Sequence, residues 1–478
     1  MTSHPTHTPR SAPAHGLYWI MLWILGLNAT SVLADSALER LAGAIRFPTV
    51  SHQDTAQIDY AAFDGLNDYL FATYPATFST LTVERVNQYS LLLHWPGSDP
   101  SLEPVLFTAH TDVVPVEEGT EADWTHPPFA GVIESDVLYG RGTLDDKHGV
   151  ISLFEAIETL LGEGYAPSRT LVFAFGHDEE IGGEAGAGAM ARRMTDKGLS
   201  FAWMVDEGGF VLRGSPLLPD RDLAVINVAE KGYVTLTLTA KADGGHSSSP
   251  GKNSAIASLS RALVRIQENP FEPKLVEPVR SFLNTLAPEL AQPQRFLFDN
   301  LWLFDGLVAG QMAQDTLTQP LVRTTTALTV VQAGVKENVI PQRAEAKVNF
   351  RLLPGDTEAD LIQEITAIVD DPDITISNDR WADRPGVAAV NAPGYRILAE
   401  AIQTTFDSAV IVPGLLQATT DTRHYVSLAR DQYRFHGNVI EPHQTSSIHG
   451  TDEFISAASF RGMIDVARHM VEAAGRAP

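Results

Sequence analysis

Three apolar runs in the first half of the chain each stop just before a histidine or a carboxylate. This repeated arrangement restricts the fold more than any other feature. Val105 to Thr108 precedes His110, Thr170 to Phe175 precedes Asp178-Glu179-Glu180, and Phe201 to Val205 precedes Asp206. Each run reads as a short buried strand. Val150 to Leu161, between the first two, has the apolar spacing of an amphipathic helix. Upstream, Ala37 to Phe47 and Ile58 to Tyr74 also read as helices, and Pro48 stops the first. Strands alternating with helices predict an α/β fold with a mostly parallel sheet.

The pattern changes near Lys231. Tyr233 to Lys241, Thr324 to Val331 and Ala344 to Leu352 alternate apolar and polar residues with period two, which suits a sheet with one solvated face. Asn253 to Gln267 reads as a helix between them. A smaller α+β domain is therefore expected as an insert. The expected divisions are a leader at 1–34, a catalytic domain at 35–231, an inserted lid at 232–380, and the rest of the catalytic domain at 381–478. The Pro-rich segment 269–322 reads as an elaboration of the insert.

At 478 residues the chain can bury a core in each of two domains. Its net charge of −25 argues against nucleic acid as a partner, because a phosphate backbone calls for a basic surface. There are no cysteines, so a metal would have to be held by His, Asp and Glu. Near the N-terminus an apolar run, Leu17 to Leu27, is followed by small residues ending Val32-Leu33-Ala34. That predicts export with cleavage after Ala34, to the periplasm or outside the cell. The alternative is an uncleaved membrane anchor with an extracytoplasmic catalytic domain. The run is about half of the roughly 20 residues a spanning helix needs.

In open α/β sheets the ligand crevice lies beyond the carboxyl ends of the strands. Those ends would gather His110, Asp145, Glu179, Glu180 and Asp206. Carboxylates crowded in one crevice repel and raise one another's pKa, and a divalent cation removes that conflict. His with Asp and Glu suits zinc, or less selectively manganese or cobalt.

Eight segments carry a resemblance. They are TAHTDVVP (108–115), WTHPPF (124–129), GRGTLDDK (140–147), HDEEIGG (177–183), VDEGG (205–209), GGHSSSP (244–250), ENVIP (337–341) and HGTDE (449–453). In this order and spacing the chain resembles the M20 metallopeptidases, in particular the branch of carboxypeptidase S and the PM20D1-like N-acyl-amino-acid hydrolases.

The resemblance implies two zinc ions and a role for each matched residue. His110, Asp145 and Asp206 would hold one ion, and Asp145, Glu180 and His449 the other, with a cis peptide at Asp145-Asp146. Asp112 would orient the His110 imidazole. Glu179 would be the general base, taking a proton from a water shared by the two metals. In the insert, His246 would stabilise the oxyanion, Arg351 would clamp the substrate carboxylate, and Asn338 would assist. The His246 contribution would come by lid closure or from a partner subunit, in a homodimer formed through the lid. The implied reaction is hydrolysis of an amide beside a free carboxylate, in short peptides or N-acyl amino acids.

Plainer readings stand beside these. A histidine alone is most often structural, and His94, His126, His148, His177, His424, His436 and His443 are read that way. His436 and His443 remain candidates for supporting the metal ligands from behind. Asp421 and Arg423, in TTDTRHY (419–425), either line the pocket or form a loop salt bridge. The Gly-rich GGEAGAG (182–188) lacks the order and lysine of a phosphate loop. No GxSxG elbow supports a serine hydrolase. A binding protein that keeps the scaffold without catalysis, or a strict dipeptidase, are the competing functions.

Overall fold

The computed structural model describes residues 36–381 and 385–476, with Met1. The N-terminal apolar run and the cleavage point expected at Ala34 lie outside them. Among the described residues no helix is long and apolar enough to cross a membrane.

The larger of the two main sheets has ten strands. Its centre runs Leu171–Gly176, Val105–His110, Trp203–Asp206 and Gln432–Arg434, all parallel. The first two strands are buried at all six of their positions. Phe107 pairs with Phe173 in register, and their rings stack 5.1 Å apart. The helix Lys147–Gly162 covers one face with Val150, Ile151, Phe154 and Ile157, backed by the C-terminal helix Ala457–Ala474. The three expected strands thus form, and they point their C-terminal ends the same way.

Leu223–Glu230 passes through Lys231 directly into Gly232–Lys241, the first strand of a second sheet. This sheet is antiparallel, in the order Thr325–Ala333, Arg343–Leu352, Gly232–Lys241, Ile374–Trp381. Period-two burial along Arg343–Leu352 sends Ala344, Ala346, Val348, Phe350 and Leu352 inward, beneath the helices Ala255–Glu268 and Glu358–Val369. Lys231, at the crossing, is buried and donates to the carbonyls of Pro320 (2.9 Å) and Arg323 (2.8 Å).

Segment 269–322, read from the sequence as an elaboration of the insert, also packs on the large sheet. Its helix Glu277–Leu286 buries Val279, Leu283 and Leu286 against Ala229, Val410, Val412 and Leu415 of the large sheet. Those strand residues form an apolar face that needs a covering layer, and the helix supplies it.

Candidate metal centre

The end of its strand buries His110 beside the acidic groups that border a cleft. Its Nδ1 lies 3.1 Å from the Asp112 carbonyl oxygen and 3.2 Å from Asp112 Oδ1. That contact assigns the ring proton to Nδ1 and leaves Nε2 facing the cleft. There Nε2 meets Asp145 Oδ1 at 3.0 Å, while Asp145 Oδ2 lies 2.9 Å from His449 Nε2. One carboxylate thus faces two imidazoles from distant parts of the chain, one with each oxygen. Glu180 Oε1 lies 3.4 Å from the same His449 nitrogen and, though buried, has no hydrogen-bond partner among the described residues. The Asp145-Asp146 peptide is cis.

Asp112 does more than orient His110. Its two carboxylate oxygens accept the backbone N–H groups of Glu179 and Glu180, each at 3.1 Å, and Ser51 Oγ donates to Oδ2 at 2.6 Å. The histidine and the acidic turn are therefore fixed to one buried carboxylate. Glu453 plays the matching part for Asp145. Fully buried, it accepts from Arg141 Nη1 (2.7 Å) and from the backbone N–H of Gly142 (3.1 Å), Leu144 (2.6 Å) and Asp145 (3.2 Å). Burial pushes its carboxyl up, and Arg141 and the Leu144 N–H pull it back.

The electrostatics favour a bound cation. Burial drives Glu179 and Glu207 well above the carboxylate range, reinforced by neighbouring carboxylates. Burial, and then repulsion from Asp145, raise Glu180 to about 7. Burial alone would lower His110, but Asp112, Asp145 and Glu207 together raise it well above its ordinary value. The carboxylates of Asp145 and then Glu180 beside it hold His449 up at about 11. Carboxylates crowded among imidazoles in this way are in a conflict that a divalent cation would relieve. The donor set fits divalent cations of the zinc type.

The expected ligand Asp206 is placed differently. It ends its strand buried, its Oδ2 has no hydrogen-bond partner among the described residues, and its charge acts on His436 and Asp421. The next residue, Glu207, brings Oε1 to 3.6 Å from His110 Nε2 and converges with His110 and Glu179. Successive side chains leave a strand on opposite faces, so one position decides which acid enters the cleft. The adjacent acids in VDEGG are the signal in the sequence, but not the choice between them.

The cleft beside these groups holds about 280 Å³ and is lined by Glu179, Glu180, His449, Tyr233, Arg351 and Arg423, among others. Arg351 lies over the Tyr233 ring at 4.6 Å, and its Nη1 is buried without a hydrogen-bond partner among the described residues. Arg423 Nη2 approaches Glu179 Oε1 at 3.9 Å, so its segment does reach the pocket. His246 and Asn338 are not among the cleft residues. His246 is exposed on a two-stranded ribbon, Gly245–His246 with Val339–Ile340, and Asn338 adjoins it, accepting the Ser247 N–H at its carbonyl. A wider hollow of about 550 Å³ beside that ribbon is lined by no His, Asp or Glu.

Residues 106–473 match the sequence profile of peptidase family M20/M25/M40. "Probable carboxypeptidase S-like 2" of Dictyostelium discoideum is 35% identical over 453 residues, covering 93% of this chain and 86% of that protein. The mouse "N-fatty-acyl-amino acid synthase/hydrolase PM20D1" is 37% identical over 436 residues, covering 89% and 85%. Among solved structures, the M20 family metallo-carboxypeptidase Sso-CP2 of Sulfolobus solfataricus superposes with a TM-score of 0.66 at 18% identity, over 92% of this chain and 99% of that one.

Proposed function

The chain belongs to peptidase family M20/M25/M40, and on that premise we propose that it hydrolyses amide bonds beside a free carboxylate with the help of two divalent cations. The observation that carries this reading is the Asp145 carboxylate, shared between His110 and His449. His110, Asp145 and Glu207 would hold one cation, and Asp145, Glu180 and His449 the other. When bound, such a pair acidifies water toward neutral pH and polarises the scissile carbonyl.

The remaining steps belong to side chains. Glu179, made more basic by burial, takes the proton of the attacking water as a carboxylate and passes it to the departing amine. Arg351 offers its unpartnered Nη1 to the substrate carboxylate, held in place over Tyr233. Arg423, beside Glu179, adds a second positive charge to the same wall. His246 and Asn338 enter the site when the lid closes or when a second copy presents its own ribbon, and His246 then donates to the oxyanion.

The substrate class is a short peptide cut at its C-terminus or an N-acyl amino acid, following the two kinds of relative. Hydrolysis of both kinds, each with the terminal carboxylate free or esterified, tests it. Loss of turnover on esterification is expected, and indifference to it would remove the Arg351 clamp. Glu179→Gln at full metal loading should lower kcat by about 10²–10⁴, the usual share of a general base. Unchanged turnover would eliminate the mechanism.

A further inference from the structure

Behind the cleft lies a second buried cluster that the reaction does not use. Asp146, His148 and His436 each bring one donor atom to within 4.8 Å of the other two. Asp146 Oδ1 is 3.0 Å from His436 Nδ1 and 3.3 Å from His148 Nδ1. The side chains are 0%, 3% and 9% exposed for Asp146, His148 and His436.

These distances are short, yet Asp146 Oδ1 and both His148 ring nitrogens have no hydrogen-bond partner among the described residues. The groups are close without being aligned on one another, as donors are when they aim at a common point. About 3.3 Å is also the separation of two ligands on a tetrahedral zinc, with bonds of about 2.0–2.1 Å. Gly149 makes room for the arrangement. A Cβ there would stand 2.3 Å from Asp146 Oδ1 and 2.3 Å from His436 Cε1. Asp206 contributes a second buried negative charge near His436, with one oxygen unpartnered. Two buried carboxylates beside two imidazoles form a donor set of the kind that holds a divalent cation.

We propose that Asp146, His148 and His436 bind a third divalent cation of the zinc type, separate from the pair in the cleft. The other Asp146 oxygen accepts the His110 backbone N–H at 3.1 Å. A cation here would therefore brace the Asp145-Asp146 segment and the end of the His110 strand from behind, without touching substrate.

The test is zinc per chain after loading and exhaustive dialysis, for the full protein and for His148→Asn and His436→Gln. Three ions in the parent and two in each variant are expected. A parent that saturates at two, or variants that keep three, overturn the proposal. Anomalous scattering from crystals of the zinc-loaded parent supplies a measurement that does not depend on the variants folding. A peak among Asp146, His148 and His436 is required, and its absence beside peaks in the cleft refutes this site while sparing the catalytic pair. Missing cleft peaks would refute the catalytic reading instead.

Discussion

Replacing Glu453 with Ala should destabilise the protein severely and loosen its hold on metal, although Glu453 touches neither metal nor substrate. The substitution leaves the Arg141 guanidinium, 2% exposed, without its counter-ion. It also strips the N–H groups of Gly142, Leu144 and Asp145 of their acceptor. Arg141 keeps the carbonyls of His449 (3.2 Å) and Gly450 (3.0 Å), through Nη2, and its place over the Trp124 ring at 5.4 Å. Removing one member of a buried ion pair costs about 3–5 kcal/mol. The three orphaned N–H groups, at about 1–3 kcal/mol for each unsatisfied donor, carry the total past that range. A domain has about 5–15 kcal/mol in all, so the variant should fold with little margin. Because the same carboxylate fixes the loop carrying Asp145, metal affinity should fall by about 10–100-fold, as when other groups that support metal ligands are lost. Equilibrium urea unfolding of the metal-free protein reads the first effect, and competition with a chelator reads the second. The double variant Glu453→Leu/Arg141→Met removes the buried charge along with its partner, and should regain stability over Glu453→Ala. If Glu453→Ala unfolds within about 0.5 kcal/mol of the parent, a shift typical of ordinary surface changes, and binds metal equally well, the reasoning fails.

Glu207→Gln should weaken one of the two cleft cations in a chelator titration, whereas Asp206→Asn should leave that cation in place; the opposite result would restore Asp206 as ligand. Metal affinity should rise with pH through about 7, because Glu180, raised to that value in the metal-free protein, must lose its proton to coordinate. Isothermal titration in buffers of different ionisation enthalpy counts the released protons, and none released would contradict the assignment. Arg351→Met should raise KM for substrates with a free carboxylate by more than about tenfold, the loss of a charge-assisted pair worth about 1.5–3 kcal/mol, with little change for their esters. An equal loss for both would mean that Arg351 only supports the cleft wall.

Much of the site was legible along the chain because metal chemistry demands particular residue types at strand ends. His110, Glu179 and Glu180 follow their buried strands directly, so the strand pattern alone places them at one end of the sheet. Asp145 and His449 became legible through whole motifs, since nothing local brings residues over 300 positions apart into contact. Glu453 lay inside a recognised motif without an evident task. Its role depends on a loop that packs around it only in the folded chain.

What the residues settled by themselves was periodicity and chemistry: buried parallel strands, an alternating second sheet, and a donor set free of sulfur. These follow from short-range rules, since side-chain spacing and donor type are written directly in the order of residues. Tertiary structure decided which of Asp206 and Glu207 faces His110, because a one-residue change at a strand end reverses the face. It also decided that the helix Glu277–Leu286 covers part of the large sheet, and that His148 and His436 meet at Asp146. Each of those outcomes depends on contacts between surfaces far apart in the chain, and only the packed molecule brings such surfaces together.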